Sequence, residues 1–320
     1  MSLWRNAVWF VKGMREYTNS GYAAAAKTFD PCDLQVDVKG RTFLITGANS
    51  GIGKATAEEV AKRGGTVHMV CRNPSRGEEA LNEIREKTGS QLVHLHILDM
   101  AQPRQVADFA GRFCQEQGKL HVLVNNAGCM INTREVSADG LEANFATNTL
   151  GTYILTTGLL PLLSQSEHPR VITVSSGGML VSKLNTKDLQ FEQMRPFDGT
   201  MAYSQNKRQQ VIMTEQWAQQ YPTIHFSSCH PGWADTPAVR TSMPDFHQKM
   251  KSRLRSVEQG ADTLVWLCLA EAVTSQPSGL FFQDRAAASK HLPLAWTKST
   301  KQEDAGLMQQ LEEIARRFKS

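Results

Sequence analysis

From residue 40 onward the chain alternates between two kinds of segment, and this constrains its fold more than any other feature. RTFLITG (41–47) is a β-branched and aromatic run ending in glycine, and KATAEEVAKRG (54–64) carries a helical pattern. The alternation continues through TVHMVCR, SRGEEALNEIREKTG, LVHLHILDM, PRQVADFAGRFCQEQG and LHVLVNNAG. It then runs through the long helical DGLEANFATNTLGTYILTTGLLPLL, PRVITVSS, AYSQNKRQQVIMTEQWAQQY, IHFSSCHPG, ADTLVWLCLA and a last strand, SGLFFQDR. Strands separated by helices predict a parallel sheet covered on both faces. Right-handed crossovers make it a single doubly wound α/β sheet, a Rossmann fold with helices on both faces. The pattern shows no boundary near residue 265. One body is expected over 39–320, preceded by an N-terminal amphipathic helix and linker over 1–38. Leu307, Leu311, Ile314 and Phe318 recur at helical spacing, so a C-terminal helix is expected to pack on that body.

Residues 2–18 read as the amphipathic helix. Leu3, Ala7, Phe10, Met14 and Tyr17 recur at three- and four-residue steps, and Ser2, Arg5, Asn6, Lys12 and Glu16 lie mostly opposite. Two placements fit: docking on the body or a second subunit, or lying in a membrane interface, which tryptophans beside basic residues suit. Residues 19–38 read as a linker. No run of about 18 apolar residues offers a membrane span, and the N-terminus is unlike a secretion signal. A cytoplasmic protein, or one peripheral on an intracellular membrane, is expected.

Composition narrows the function classes. The 320 residues include 35 basic and 31 acidic ones, a net +4 spread along the chain, which makes no electrostatic case for nucleic acid. The six cysteines form no CxxC pair, and the histidines form no HExxH. His94 and His96 share one strand face without a third ligand, so no metal is expected.

The glycine-rich turn after the first strand carries the first chemical signal. Gly47, Asn49, Ser50, Gly51, Ile52 and Gly53 make a GxxxGxG turn between strand and helix. Glycines let the backbone approach a pyrophosphate whose charge meets a helix N-terminus. The second strand ends Val70-Cys71-Arg72-Asn73 with no acid to hold an NAD ribose hydroxyl. Arg72 can instead fork onto the 2′-phosphate of NADP, with Lys54 and Arg76 as helpers. NADP (NADPH) is therefore expected over NAD, and Asp99, ending the third strand, is a candidate for the adenine amino group.

The second signal is Tyr203 four residues before Lys207, about one helical turn, which puts both on one face. A nearby ammonium favours an ionised phenol, so the pair is a candidate acid/base working near neutral pH.

TGANSGIG (46–53), NNAG (125–128), Asn148, VSS (174–176), Tyr203 with Lys207, and HPG (230–232) occur together and in order. This set resembles the short-chain dehydrogenase/reductase superfamily over about residues 40–285, and its wording is similar to the retinol-dehydrogenase-like branch. The resemblance implies that Tyr203 exchanges a proton with a carbonyl or hydroxyl oxygen. It implies that Lys207 lowers the Tyr203 pKa and holds the nicotinamide ribose. Ser176, rather than Ser175, would orient the substrate oxygen, and Asn148 would position a water linking Lys207 to solvent. Asn126 and Gly128 would shape the cofactor site, Pro231 and Gly232 would pass beneath the nicotinamide, and Thr236 would lie near its carboxamide. The substrate implied is a small-molecule carbonyl or secondary alcohol, lipid-like in character, and family members are often homo-oligomers. Residues 236–256 are the expected lid, where Met243, Phe246 and Met250 either contact an apolar substrate or pack a surface helix. Trp233 is a candidate pocket residue; Trp217 and Trp266 are expected in the core. The alternative is a nucleotide-binding scaffold or redox sensor on the same fold, without turnover.

Overall fold

A computed structural model describes residues 3–319; Ser2, at the start of the predicted first helix, lies outside the described residues. The strands are β1 (Thr42–Thr46), β2 (Thr66–Cys71), β3 (Val93–Ile97), β4 (Val122–Asn125), β5 (Arg170–Val174), β6 (His225–Cys229), β7 (Leu280–Gln283) and β8 (Ala286–Ala287). They form one sheet in the order β3-β2-β1-β4-β5-β6-β7-β8, parallel except for β8. The sequence predicts one strand at the end; instead Asp284 and Arg285, both with positive φ, reverse the chain into the short β8.

The helices in chain order are α1 (Leu3–Glu16), α2 (Asn19–Ala25), α3 (Gly51–Lys62), α4 (Pro74–Thr88), α5 (Pro103–Glu116), α6 (Ala143–Phe145), α7 (Gly151–Leu163), α8 (Gly199–Gln220), α9 (Pro237–Ser242), α10 (Pro244–Met250), α11 (Val257–Leu269) and α12 (Lys301–Arg316). Alternation along the strands feeds two cores. Phe43, Ile45, Val122 and Val124 face the layer of α3, α4 and α11, while Leu44, Leu123 and Val171 face that of α5, α7, α8 and α12. Trp217 and Trp266 are buried in these cores, as expected. The C-terminal helix also forms: Thr300 and Glu303 cap each other across the first turn of α12, and Leu307, Leu311 and Phe318 are buried.

The reversal of strand order between β1 and β4 opens a crevice at the carboxyl ends of the strands. The predicted long helix over 139–163 begins later, as α6, and passes through a π turn at Ala146–Leu150 before continuing as α7. Such wide turns occur mostly at functional sites, and Asn148 sits on this one.

The N-terminal segment is ordered against the body. Where the sequence suggests a linker, Thr18 caps α2 and two 3₁₀ turns follow. α1 lies across Trp233, at a closeness that Gly13 permits, because a Cβ there would enter the indole ring. The segment is tied down by Arg255, whose guanidinium donates to Glu16 O at 2.6 Å, Thr18 O at 3.3 Å and Pro231 O at 3.3 Å. It also forks onto both carboxylate oxygens of Asp284, at 2.7 and 3.0 Å. Both partners are buried. Breaking such a pair strands a charge and costs about 3–5 kcal/mol. Urea denaturation is expected to show that loss for Arg255→Met, with part of it recovered in Arg255→Met/Asp284→Leu. An unchanged midpoint in the single variant would remove Arg255 as the tie.

Candidate active site

The crevice is a cleft of about 920 Å³. Gly47, Asn49, Ser50, Gly51, Ile52, Gly53, Arg72, Asp99, Asn126, Gly128, Ser176, Tyr203, Lys207, Pro231, Gly232 and Thr236 all line it, so its wall carries nearly every candidate residue. Asn148 alone stands behind that wall, fully buried.

At one end the glycine turn is held shut against β4. The Asn126 amide donates to Thr46 O at 2.8 Å and Gly47 O at 3.2 Å. A Cβ on Gly53 would collide with that amide and with the Gly47 carbonyl. Ser50, the N-cap of α3, makes no side-chain capping bond, so the first N–H groups of the helix face the cleft. A smooth backbone cradle at a helix N-terminus fits the pyrophosphate of a dinucleotide. Arg72 stands at the edge of this end, exposed and in no ion pair among the described residues. The expected helpers are not there: Lys54 is paired with Glu58 and Glu83, and Arg76 lies outside the cleft lining. Asp99 lines the cleft, with one carboxylate oxygen accepting from Ala101 N at 2.9 Å.

At the other end α8 presents Tyr203 and Lys207. The Lys207 ammonium lies 5.3 Å from the centre of the Tyr203 ring and donates to Val174 O at 2.7 Å and Gln210 Oε1 at 3.0 Å. The two serines after β5 part company. Ser175 turns away and donates to the Lys207 carbonyl at 2.9 Å, while the Ser176 hydroxyl faces the phenol.

One expectation about this pair needs correction. The phenol is not pulled towards neutrality: burial pushes Tyr203 up to about 12, and the Ser176 hydroxyl draws it only part of the way back. Burial also lowers Lys207 to about 8, the Cys129 and Cys229 thiols opposing it weakly. A desolvated ammonium without a carboxylate cannot offset the desolvation of the phenol beside it. Beside the expected water, a protein link also joins Asn148 and Lys207. Gln210 Nε2 donates to the Asn148 carbonyl at 2.7 Å while its Oε1 accepts from Lys207. The Asn148 side chain is itself committed to the Cys129 N–H and carbonyl, both at 2.8 Å, and to Asn206.

Sequence reasoning missed Gln210; the signal was its position three residues after Lys207, on the same helical face. It also missed Trp9 and Phe10, which reach the cleft from α1. Trp9 donates to Gly177 O at 2.7 Å and packs on Trp233 with ring centroids 5.6 Å apart. Trp233 lines the cleft, and so do Met243 and Phe246 from the segment expected as a lid, but Met250 is buried beneath. His230 lies under this aromatic group, and burial holds it well below its usual range, hence neutral.

Comparison with known proteins agrees with this geometry. Residues 41–187 match the family model for short chain dehydrogenase. Dehydrogenase/reductase SDR family member 12 of Homo sapiens is 61% identical over 319 residues, covering 100% of both chains. Retinol dehydrogenase 12 of Mus musculus is 35% identical over 257 residues, covering 79% of this chain and 80% of its own. Among solved structures, a short-chain-dehydrogenase-type protein of Escherichia coli CFT073 complexed with NADPH superposes with a TM-score of 0.63. It is 24% identical and covers 80% of this chain and 100% of its own. Full-length identity with one relative, the matched family model and the cradle-and-tyrosine cleft together place the chain in the short-chain dehydrogenase/reductase family of NAD(P)-dependent oxidoreductases.

Proposed function

We propose that this chain is an NADP(H)-dependent oxidoreductase acting on a carbonyl or secondary alcohol of lipid-like character, with Tyr203 as its acid/base. The observation that carries the reading is the cleft itself. A backbone cradle lies at one end, and Tyr203, Ser176 and Lys207 converge at the other.

When bound, the nicotinamide supplies or accepts the hydride. The chain does the rest. The α3 N-terminus and the turn from Gly47 to Gly53 hold the pyrophosphate, and Arg72 holds the 2′-phosphate. Lys207 holds the ribose hydroxyls. Ser176 orients the substrate oxygen against Tyr203, which gives it a proton in reduction and takes one in oxidation. A phenol pushed up to about 12 in the free protein is fully protonated at neutral pH, the form that reduction requires. Gln210 keeps the ammonium positioned and charged by accepting from it. Trp9, Phe10, Trp233 and Phe246 make an apolar wall over the substrate end, which suits a lipid-like substrate. The retinol dehydrogenases among the relatives favour the same class.

The direct test is a pair of NADPH and NADH titrations with a carbonyl screen. Tyr203→Phe is expected to lower turnover by about a thousand-fold or more, with NADPH affinity within about three-fold of the parent. Persistent turnover would refute the assignment. Arg72→Ala is expected to weaken NADPH binding about ten-fold and leave NADH binding nearly unchanged; equal loss for both would remove the 2′-phosphate contact.

The pH dependence follows from Lys207. Its pKa is lowered to about 8, so the ammonium is intact below that value and lost as pH rises through it. The kcat/KM for NADPH, which reports the free enzyme, is expected to fall above about pH 8. A hydrogen bond to a charged group contributes about 1.5–3 kcal/mol, and one pKa unit corresponds to about 1.4 kcal/mol. Gln210→Leu should therefore move that limb about one unit towards acid, and Gln210→Glu should move it towards alkali. A limb that stays in place in both variants would leave Gln210 a merely structural role.

A further inference from the structure

α1 is turned the unusual way round. Its exposed positions are Leu3, Trp4, Ala7, Phe10, Val11 and Arg15. Its half-buried positions are Arg5, Asn6, Val8, Trp9, Lys12, Met14 and Glu16. The outward stripe is therefore apolar up to its last residue, in addition to the inward Val8, Trp9 and Met14, whereas an ordinary surface helix keeps its outer face polar. Trp9 and Gly13 fix this orientation from below.

A second segment extends the surface. The Trp4 indole N–H reaches Pro293 O at 3.4 Å, and the chain there is anchored by Leu292 and Ala295, both buried. Between and beyond those anchors, Leu294 is 72% exposed and Trp296 82% exposed. Both have a φ of 53°, a conformation that bulky side chains rarely take. Of nine large hydrophobic side chains that stand exposed among the described residues, six belong to these two segments. Scattered apolar side chains need no explanation, but a contiguous group does.

The charged side chains of the two stretches are basic, with Glu16, Glu303 and Asp304 just past their ends. Residues 3–15 carry Arg5, Lys12 and Arg15, residues 289–301 carry Lys290, Lys298 and Lys301, and neither stretch contains a carboxylate. Lys12 and Lys290 are paired with Glu16 and Glu215. Arg15, Lys298 and Lys301 are exposed and in no ion pair among the described residues. A second copy of the chain docked here by a two-fold axis would set cations against cations. Tryptophans beside the exposed, unpaired Arg15, Lys298 and Lys301 suit the boundary of an anionic bilayer.

We propose that the outward stripe of α1 and the segment 293–296 form one docking surface for an anionic lipid bilayer. The surface includes no residue of the acid/base set. Phe10 belongs to both places, half exposed on the stripe and lining the cleft. A docked chain therefore has the apolar wall of its cleft at the lipid boundary, which is where a lipid-like substrate would enter. That consequence rests on the function proposed above; the docking surface does not.

The test is flotation of the full chain with phosphatidylcholine vesicles, with and without about one quarter phosphatidylserine. Binding is expected only with the anionic vesicles, weakening as salt rises to about 0.5 M. Brominated acyl chains are expected to quench part of the tryptophan emission. Leu294→Asn/Trp296→Asn keeps residues that tolerate positive φ and should lose about ten-fold or more in vesicle binding. Its NADPH affinity should be unchanged, which also reports that it folds. Arg15→Glu/Lys298→Glu should lose the preference for anionic vesicles through charge alone. No flotation of the parent, or equal flotation of the asparagine variant, would overturn the proposal. So would a dimer of the parent that the asparagine variant cannot form, in a chain that leaves vesicles unbound, since the face would then be an interface between copies.

Discussion

Arg255 is the contact on which the arrangement of the substrate end depends. One guanidinium joins three parts of the chain far apart in sequence: the end of α1, the Pro231-Gly232 turn and the β7–β8 reversal. Gly232 has to be glycine for this, since a Cβ there would occupy the position of the guanidinium. The charge is neutralised by Asp284, and its remaining donors meet carbonyls, so little of its hydrogen-bonding capacity is left unused. A lysine could not replace it, because a point charge cannot fork onto a carboxylate while reaching two other backbones. The roof of the cleft is therefore built from the N-terminus yet held by the β7–β8 reversal at the sheet's edge.

Lys207 raises the opposite problem, a buried cation with no carboxylate. It sits within a run from Ser204 to Gln210 in which seven consecutive polar residues are buried. A helix can bury such a run when its side chains are satisfied elsewhere, and here all find partners, though the Gln209 amide nitrogen has none among the described residues. Ser204 donates to Gly178 O, Gln205 to Lys183 O, and Arg208 to Met179 O, Ser182 O and Lys290 O. These bonds fasten the loop after β5, which carries Ser176, onto the helix that carries Tyr203. The polar run thus fixes the distance between the two hydroxyls. Lys207 is held by carbonyl oxygens alone, which leaves its charge costly and its pKa low, ready for stabilisation by an arriving ligand.

Much of this was legible in the sequence because it depends on local rules. Strand alternation, the glycine turn and the Tyr203–Lys207 spacing each follow from backbone geometry over a few residues. The doubly wound parallel form follows from strand–helix alternation with right-handed crossovers. What was not legible depends on long-range contact. α2 reads as linker because its Asn-Ser-Gly-Tyr-Ala run has no apolar period, and it forms because Thr18 caps it while the segment beside it is tied by Arg255. Gln210 looks like any polar residue of a helix until the π turn brings the Asn148 carbonyl to it. The direction of the tyrosine shift was misread because spacing reports the neighbouring charge and says nothing of burial.

The orientation of α1 shows where reading by pattern alone fails. Amphipathic periodicity identifies two faces but assigns the apolar one to the interior only if the interior is apolar. The surface that receives α1 is not uniformly so. It offers the Gly177 carbonyl to the Trp9 indole and the Val181 carbonyl to Arg5, alongside the ring of Trp233. A face that combines Val8, Trp9, Gly13 and Met14 with Arg5, Asn6 and Lys12 matches that mixed surface better than a strip of leucine and valine would. Turning the mixed face inward satisfies the carbonyls and half-buries Trp9, and it leaves Leu3, Val11 and their neighbours exposed. The exposed stripe is thus the counterpart of a polar roof contact. The same contact that closes the cleft from above produces the apolar surface outside it.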